Sequence, residues 1–162
     1  MGPFEFVPAV NSSDFESSAR LFTSLEPWIS YGRDYEYNLH SVQDPLKELY
    51  VARLNGVFCG AVLLITKGAI VAYLQRIAVD TAYQGMGIGK KILEETEERV
   101  FRDFPNLFLT VAEFRTEAYT FYKGMGYDEI GIIKEYILPG VDEVMMRKTV
   151  GPANKFYEIR GT

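Results

Sequence analysis

Between an apolar, strand-like run ending at Val79 and an amphipathic helix lies Tyr83-Gln84-Gly85-Met86-Gly87-Ile88-Gly89-Lys90-Lys91, and this junction constrains the fold more than any other stretch. Glycines on alternate positions let the backbone approach a ligand closely. The helix behind them aims its unpaired N–H groups and the positive end of its dipole at the same spot. Strand, glycine turn and helix start, in that order, make a cradle for a phosphate or pyrophosphate.

Two common versions of such a cradle fail on spacing. A dinucleotide fingerprint needs G-x-G-x-x-G, and neither Gly85-Met86-Gly87-Ile88-Gly89-Lys90 nor Gly87-Ile88-Gly89-Lys90-Lys91-Ile92 completes it. A P-loop would need glycine at position 84 and Ser or Thr at 91, where the chain has Gln84 and Lys91. The strand before the loop also belongs to a hairpin rather than opening a βαβ unit, which weakens a dinucleotide fold further.

That hairpin is read from Asn55-Gly56, a pair suited to a type I′ turn, between the apolar runs 49–54 and 57–65. Lys67-Gly68 makes a second turn and 69–79 a third consecutive antiparallel strand. Upstream, Phe4-Glu5-Phe6-Val7 reads as a short strand. Ser13-Asp14-Phe15-Glu16 reads as a capping box opening a helix with Phe15, Ala19, Phe22 and Leu25 on one face, stopping near Pro27. Residues 28–37 read as a loop leading to a short helix that ends by Gln43. After the glycine loop, Ile88, Ile92, Leu93, Thr96 and Val100 mark the buried side of a helix ending before Pro105. Residues 107–112 form a buried strand, 117–125 a helix closed by Gly126, and 130–138 and 141–147 a hairpin about Pro139-Gly140. The expected fold class is α+β (mixed α/β), with a central, mostly antiparallel sheet covered by helices on both faces. One domain is expected over 1–150. Residues 151–162 show no amphipathic period and are expected to be a tail of unknown order.

The chain has 162 residues, enough for one sizeable core, and its 48% hydrophobic and 24% charged content is that of an ordinary globular protein. A net charge of −5 argues against nucleic acid as the main partner, since phosphate neutralisation needs concentrated Lys and Arg. Cys59 is the only cysteine, which excludes an internal disulfide and fits a reducing compartment; inside Val57-Phe58-Cys59-Gly60-Ala61 it reads as a small buried residue. Pro3 and Glu5 interrupt any signal-peptide run, and the longest apolar stretch is far short of the ~20 residues of a membrane helix. A cytoplasmic protein without a membrane partner is expected.

Directly after Arg76-Ile77-Ala78-Val79-Asp80, the spacing Gln84-x-x-Gly87-x-Gly89 resembles the coenzyme A pyrophosphate loop of the GNAT superfamily of N-acetyltransferases. Ala118-Tyr119-Thr120-Phe121-Tyr122-Lys123-Gly124-Met125-Gly126-Tyr127 is similar to its A-x-x-x-Y-x-x-x-G-F/Y segment, and Glu143-Val144-Met145-Met146-Arg147-Lys148 to its common last strand. The resemblance spans roughly 48–148 in the expected order. It implies a sheet that splays between the strands ending at Val79 and Ala112 and admits the pantetheine arm. Main-chain groups of Ile77, Ala78 and Val79 would pair with that arm. Backbone N–H groups of Gln84, Gly85, Met86, Gly87, Ile88, Gly89 and Lys90 would hold the pyrophosphate, with Gln84 able to add a side-chain donor. Tyr119 is included in the expected cofactor contacts, and Lys90, Lys91 or Lys123 could meet a phosphate on the adenosine side. Arg115 stands where the family often has a cofactor-binding asparagine.

The implied reaction is acetyl transfer from acetyl-CoA to a primary amine, which needs a neutral amine, a stabilised oxyanion and a proton for the leaving thiolate. Tyr122 takes the family's general-acid position; a phenol of ordinary pKa ~10 is protonated at neutral pH and faces a thiolate whose conjugate acid lies near ~8.5. Its alternative is a core tyrosine beside Phe121 and Met125. No base is assigned. Tyr73 and Thr110 occupy positions where relatives place a glutamate, Glu113 reads as a loop carboxylate, and an ordered water held by Gln75 or backbone carbonyls is favoured. His40 reads as a surface or partly buried residue. In the segment between the first two helices, Trp28, Tyr31 and Tyr35 could form an aromatic wall on the acceptor side, and Arg33 could hold an acceptor carboxylate. The acceptor is left open between small molecule and protein. No metal is expected, and the resemblance allows a homodimer through sheet edges or the C-terminal hairpin. Within the same resemblance stand transfer of a longer acyl group and a non-catalytic coenzyme A sensor.

Overall fold

At Asn55-Gly56 both residues have positive φ (54° and 76°), the left-handed pair that a type I′ turn demands. The turn joins β2 (Lys47–Leu54) to β3 (Val57–Ile65) with Leu54 opposite Val57. The structure is a computed structural model describing residues 2–161. β1 (Phe4–Pro8) adds antiparallel to β2, and β4 (Tyr73–Val79) adds antiparallel to β3. β4 starts later than the sequence suggests because Tyr73 pairs with Ile65, the last residue of β3, so residues 69–72 have no strand of that hairpin beside them. Beyond β4 lie β5 (Asn106–Ala112), β7 (Val141–Thr149) and β6 (Asp128–Leu138), giving the sheet order β1-β2-β3-β4-β5-β7-β6. Every neighbouring pair is antiparallel except β4 and β5.

The exception makes the cleft. β4 and β5 run parallel and share one ladder position, Tyr73 opposite Phe108, backed by Phe108 N–H to Ala72 O at 2.9 Å and Ala72 N–H to Asn106 O at 3.2 Å. No further pair joins them toward Val79 and Ala112 among the described residues, so the sheet opens as expected between these strand ends. A second irregularity lies in β4. Leu63 pairs with Arg76 but Leu64 with Leu74, which leaves Gln75 as an extra residue, a bulge that re-aims its neighbours.

Helices cover both faces. α1 (Ser12–Thr23) and α2 (Tyr35–Val42) pack Ala19, Phe22 and Val42 with Trp28 against Leu49, Ala61, Leu63 and Ala78. On the other face α3 (Ile88–Phe101) and α4 (Thr116–Gly124) bring Ile88, Ile92, Leu93, Val100 and Tyr122 onto Val62, Leu64, Leu74, Leu109 and Met146. β3 therefore supplies alternate residues to both layers, which is why it reads as one apolar run. Cys59 is fully buried in it, and burial pushes its thiol up.

Three local readings differ from the sequence. Asn11 caps α1 by accepting from the Asp14 N–H at 2.9 Å, and Glu16 pairs with Arg20 at 2.8 Å instead of closing a capping box. α2 begins at Tyr35 because Asp34 accepts from the Tyr37 N–H at 2.8 Å. The segment after Val150 carries a helix, α5 (Ala153–Arg160), held by Arg160 donating to Phe101 O at 3.3 Å and lying over the Phe156 ring. Its residues are mostly exposed, so it leaves no apolar stripe for a period to show.

Candidate active site

The glycine loop ends in a helix start without a side-chain cap. Gly87 is the N-cap residue of α3 at φ 79°, Gly85 has φ 76°, and no acidic residue occupies the first turn. The first backbone bond at this end runs from Lys91 N–H to Gly87 O at 3.2 Å, leaving the N–H groups of Ile88, Gly89 and Lys90 without an intrahelical acceptor. A Cβ built on Gly85 or Gly87 would meet nothing within 4 Å, so glycine is needed there for its backbone angles and for approach from outside. This fits a pyrophosphate: open, positively polarised and free of competing carboxylates.

Side chains around the loop are partly committed. The Gln84 amide donates to Val79 O at 3.1 Å and its N–H reaches Thr81 O at 3.4 Å, so the donor expected for a ligand instead ties the loop to the end of β4. Lys90 pairs with Glu94 at 3.8 Å, Lys91 lies over the Phe4 ring, and Lys123 pairs with Asp128 at 3.6 Å. Met86 is exposed and Ile88 is buried under the loop. Ala78 belongs to the core on the α1/α2 face, while Ile77 borders the cleft.

The cleft widens into a cavity of about 670 Å³ whose lining includes Trp28, Tyr31, Arg33, Gln75, Arg115 and Tyr122. Three of these, Trp28, Tyr31 and Arg33, are acceptor-side residues read from the sequence, and Gln75 is the residue read there as holding a water. Tyr35 is not among them; it packs beside α1 with Arg20 over its ring, and Tyr37, one turn boundary later, lines the cavity instead. Trp28 is shared with the core, edge-on to Phe22 at 5.0 Å. Tyr119 donates to Glu129 at 3.0 Å, away from the cavity lining. Glu113 accepts from the Asp142 N–H at 3.2 Å on the exposed side, and His40 is an exposed residue of α2.

Tyr122 is 8% exposed and borders the cavity, and no hydrogen bond to its hydroxyl exists among the described residues. Burial raises its pKa well above the ordinary phenol value, and the nearby Arg115 charge pulls the other way. In the same cavity Tyr31 donates to Glu143 Oε1 at 2.5 Å. Glu143, on β7, is only 1% exposed and still lines the cavity. Burial raises its carboxyl above the usual range, while hydrogen bonds from Tyr31 and Thr110 hold it down. Gln75, set out by the bulge, has its Oε1 buried without a partner. The cavity thus holds a high-pKa phenol, a buried carboxyl and an unsatisfied acceptor beside an open strand edge.

Residues 13–127 match the acetyltransferase (GNAT) family. The chain belongs to the GNAT family of acetyltransferases. Among GNAT relatives it is 28% identical over 143 residues to N-alpha-acetyltransferase RimI of Mycobacterium tuberculosis, covering 84% of each chain. Its fold superposes on the ribosomal-protein-S18-alanine N-acetyltransferase of Escherichia coli with a TM-score of 0.71 at 18% identity, covering 93% of this chain and 96% of that one. An aminoglycoside 6′-N-acetyltransferase solved with coenzyme A gives 0.74 at 16% identity, covering 91% and 98%. The recognised GNAT sequence segments and the splayed, mostly antiparallel GNAT sheet therefore agree. Among the described residues no helix is long and apolar enough to cross a membrane, and no group of His, Cys, Asp and Glu stands ready to hold a metal ion.

Sequence reasoning passed over two cavity residues. Glu143 was visible only as the first residue of the last-strand segment, and strand alternation with Met145 gives no hint that it is buried. Arg76 carried a signal: an arginine between Leu74 and Ala78, at inward positions of an apolar strand, has to find a buried environment or a partner.

Proposed function

We propose that this GNAT protein transfers an acetyl group from acetyl-CoA directly to a primary amine, of a small molecule or a protein. The observation that carries the reading is the uncapped, glycine-led start of α3 at the mouth of the β4/β5 cleft, with Tyr122 and Glu143 bordering the same cavity. Acetyl-CoA would supply the activated acyl group as a thioester. The free N–H groups of Ile88, Gly89 and Lys90 would hold its pyrophosphate, and the unpaired edge of β4 at Ile77 to Val79 would align its pantetheine amides as a neighbouring strand would.

Glu143 is the proposed base. An acceptor ammonium must lose a proton before its nitrogen can attack, and a carboxylate with a raised pKa is better matched to that proton than an ordinary one. Hydrogen bonds from Tyr31, to Oε1, and from Thr110 fix its orientation toward the amine or an intervening water. Tyr122 is the proposed donor to the departing sulfur. A phenol this weakly acidic stays protonated through the physiological range and stabilises the leaving thiolate first as a hydrogen bond. In the net reaction the N–C bond forms, the C–S bond breaks, and the amine proton ends on the thiol. Glu143 supports turnover over the coenzyme A sensor, since a buried carboxyl in the acceptor cavity serves a base and has no use in binding the donor alone.

Calorimetric titration with coenzyme A, followed by free-thiol detection with acetyl-CoA across an amine panel, tests the reading. Binding together with amine-dependent thiol release is expected. No binding would remove the reading altogether, and binding without release would leave the sensor.

A further inference from the structure

Arg76 is a buried cation with no counter-ion. Its residue is 5% exposed, and among the described residues no carboxylate lies within the 4.0 Å of an ion pair. One guanidinium nitrogen donates to Asn38 Oδ1 at 2.5 Å. Asn38 is in turn pinned by donating to Thr23 Oγ1 and to Arg33 O, each at 3.0 Å. The guanidinium carbon lies 5.4 Å from the Phe22 ring centroid and 5.7 Å from that of Tyr37. Arg76 is also one of the residues lining the cavity.

A second cation shares the Tyr37 ring. The Arg33 guanidinium carbon is 4.2 Å from its centroid, also lines the cavity and also has no carboxylate partner. The charges repel. Burial pushes Arg76 down to about 10, and Arg33 adds to the lowering. Glu26 borders the same cavity, but its carboxylate accepts from the Ser30 N–H at 3.1 Å and is not paired with either arginine. Burying a guanidinium without an anion is costly, and placing a second cation beside it adds to the cost. An incoming anion relieves both, and a planar fork favours a carboxylate held bidentately.

We propose that Arg76 and Arg33 form the subsite for a carboxylate carried by the amine acceptor, so that the acceptor is an amino-carboxylate with its amine toward Glu143. The proposal rests on the transferase reading above. Both ends of such an acceptor then find complementary groups in one cavity: the buried Glu143 carboxylate and the unsatisfied Gln75 Oε1 for the amine, the arginine pair for the acid. The carboxylate could belong to a free amino acid or to an acidic side chain near a peptide's N-terminus; both present the same chemistry.

The test measures thiol release from acetyl-CoA with free amino acids, with their α-carboxamides, and with C-terminally amidated peptides that do or do not carry Asp or Glu in the first two positions. Carboxylate-bearing acceptors are expected to exceed their uncharged counterparts in kcat/KM by about 10- to 100-fold. Arg76→Met should erase that preference through KM while leaving the calorimetric affinity for coenzyme A unchanged. Arg76→Lys should restore part of it. Arg33→Ala, at a half-exposed site, should reduce the preference about tenfold and keeps the test open if the Arg76 variants fold poorly. Preference among free amino acids assigns a small-molecule source, and preference only among peptides assigns a side chain. Equal turnover of acids and amides overturns the subsite, as does a preference that survives both substitutions, or loss of coenzyme A affinity in Arg76→Met. Coenzyme A binding without turnover of any carboxylate-bearing amine overturns it too, whereas failure to bind coenzyme A removes the transferase reading beneath it.

Discussion

Gly89 and Gly87 offer a way to separate what the glycine loop needs for folding from what it needs for its ligand. Gly87 sits at φ 79°, so alanine there costs roughly 1–2 kcal/mol in left-handed strain although its Cβ meets nothing within 4 Å. Gly89 lies in the first turn of α3 without a positive φ, and a Cβ there would make only an ordinary 3.6 Å contact with Val79 Cγ2. Alanine at 89 should therefore be neutral or stabilising by up to about 0.5–1 kcal/mol, the usual advantage over glycine in a helix. For a chain of this size about 1 kcal/mol corresponds to roughly 2–4 °C in Tm. Gly89→Ala should thus melt at or slightly above the parent, and Gly87→Ala about 2–8 °C below it. If pyrophosphate rests on the N–H groups of Ile88, Gly89 and Lys90, the new methyl at 89 stands beside it and weakens charge-assisted hydrogen bonds, costing tenfold or more in coenzyme A affinity by roughly 1.5–3 kcal/mol. Differential scanning calorimetry and coenzyme A titration on the same samples read both quantities. A Gly89→Ala protein that is as stable as the parent and binds coenzyme A equally well would refute a pyrophosphate seat at this helix start.

Tyr122→Phe should reduce thiol release by about 10²-fold or more with coenzyme A affinity unchanged in titration; unaltered turnover would return Tyr122 to a packing role. Glu143→Gln should lower amine acetylation by about 10²- to 10⁴-fold. The same change has a stability signature with a definite sign. A carboxyl whose folded pKa is raised is favoured protonated by the fold, so its contribution is fully present below the ordinary carboxylate range and is lost as pH climbs through the raised value. Thermal melts should show Glu143→Gln more stable than the parent at neutral pH, with the difference shrinking toward about pH 4; the opposite slope would place the carboxylate in a stabilised ionised state. Gly60→Ala should destabilise by about 1–3 kcal/mol in chemical denaturation, because its Cβ would lie 2.7 Å from Ala78 O and 2.6 Å from Ile92 Cδ1, between β3, β4 and α3.

Features held by local rules were legible from residue order. Asn55-Gly56 fixes a hairpin through backbone angles, and the β3 apolar run fixes a strand buried on both faces. Gly85 and Gly87 announce a loop whose angles other residues resist. The site was legible where a motif spans adjacent positions, as at Tyr122. It was hidden where distant segments meet. Tyr31 and Glu143 meet in the cavity lining through one hydrogen bond between residues far apart in sequence, and Arg76 follows the register slip at Gln75. Tyr35 and Tyr37 exchange roles for a related reason: Asp34 starts α2 earlier than aromatic content suggests, which turns Tyr35 to the core and leaves Tyr37 at the cavity. α5 escaped because an exposed helix needs no apolar stripe.

The most direct test of acetyl transfer is to mix the protein with acetyl-CoA and the amine panel and to measure free thiol and acetylated amine together, the latter by mass. Thiol and acetylated amine should appear in equal amounts, with no acetyl group left on the protein. Bound acetyl-CoA that is never consumed in the presence of any amine, or thiol released without an acetylated amine, would contradict it.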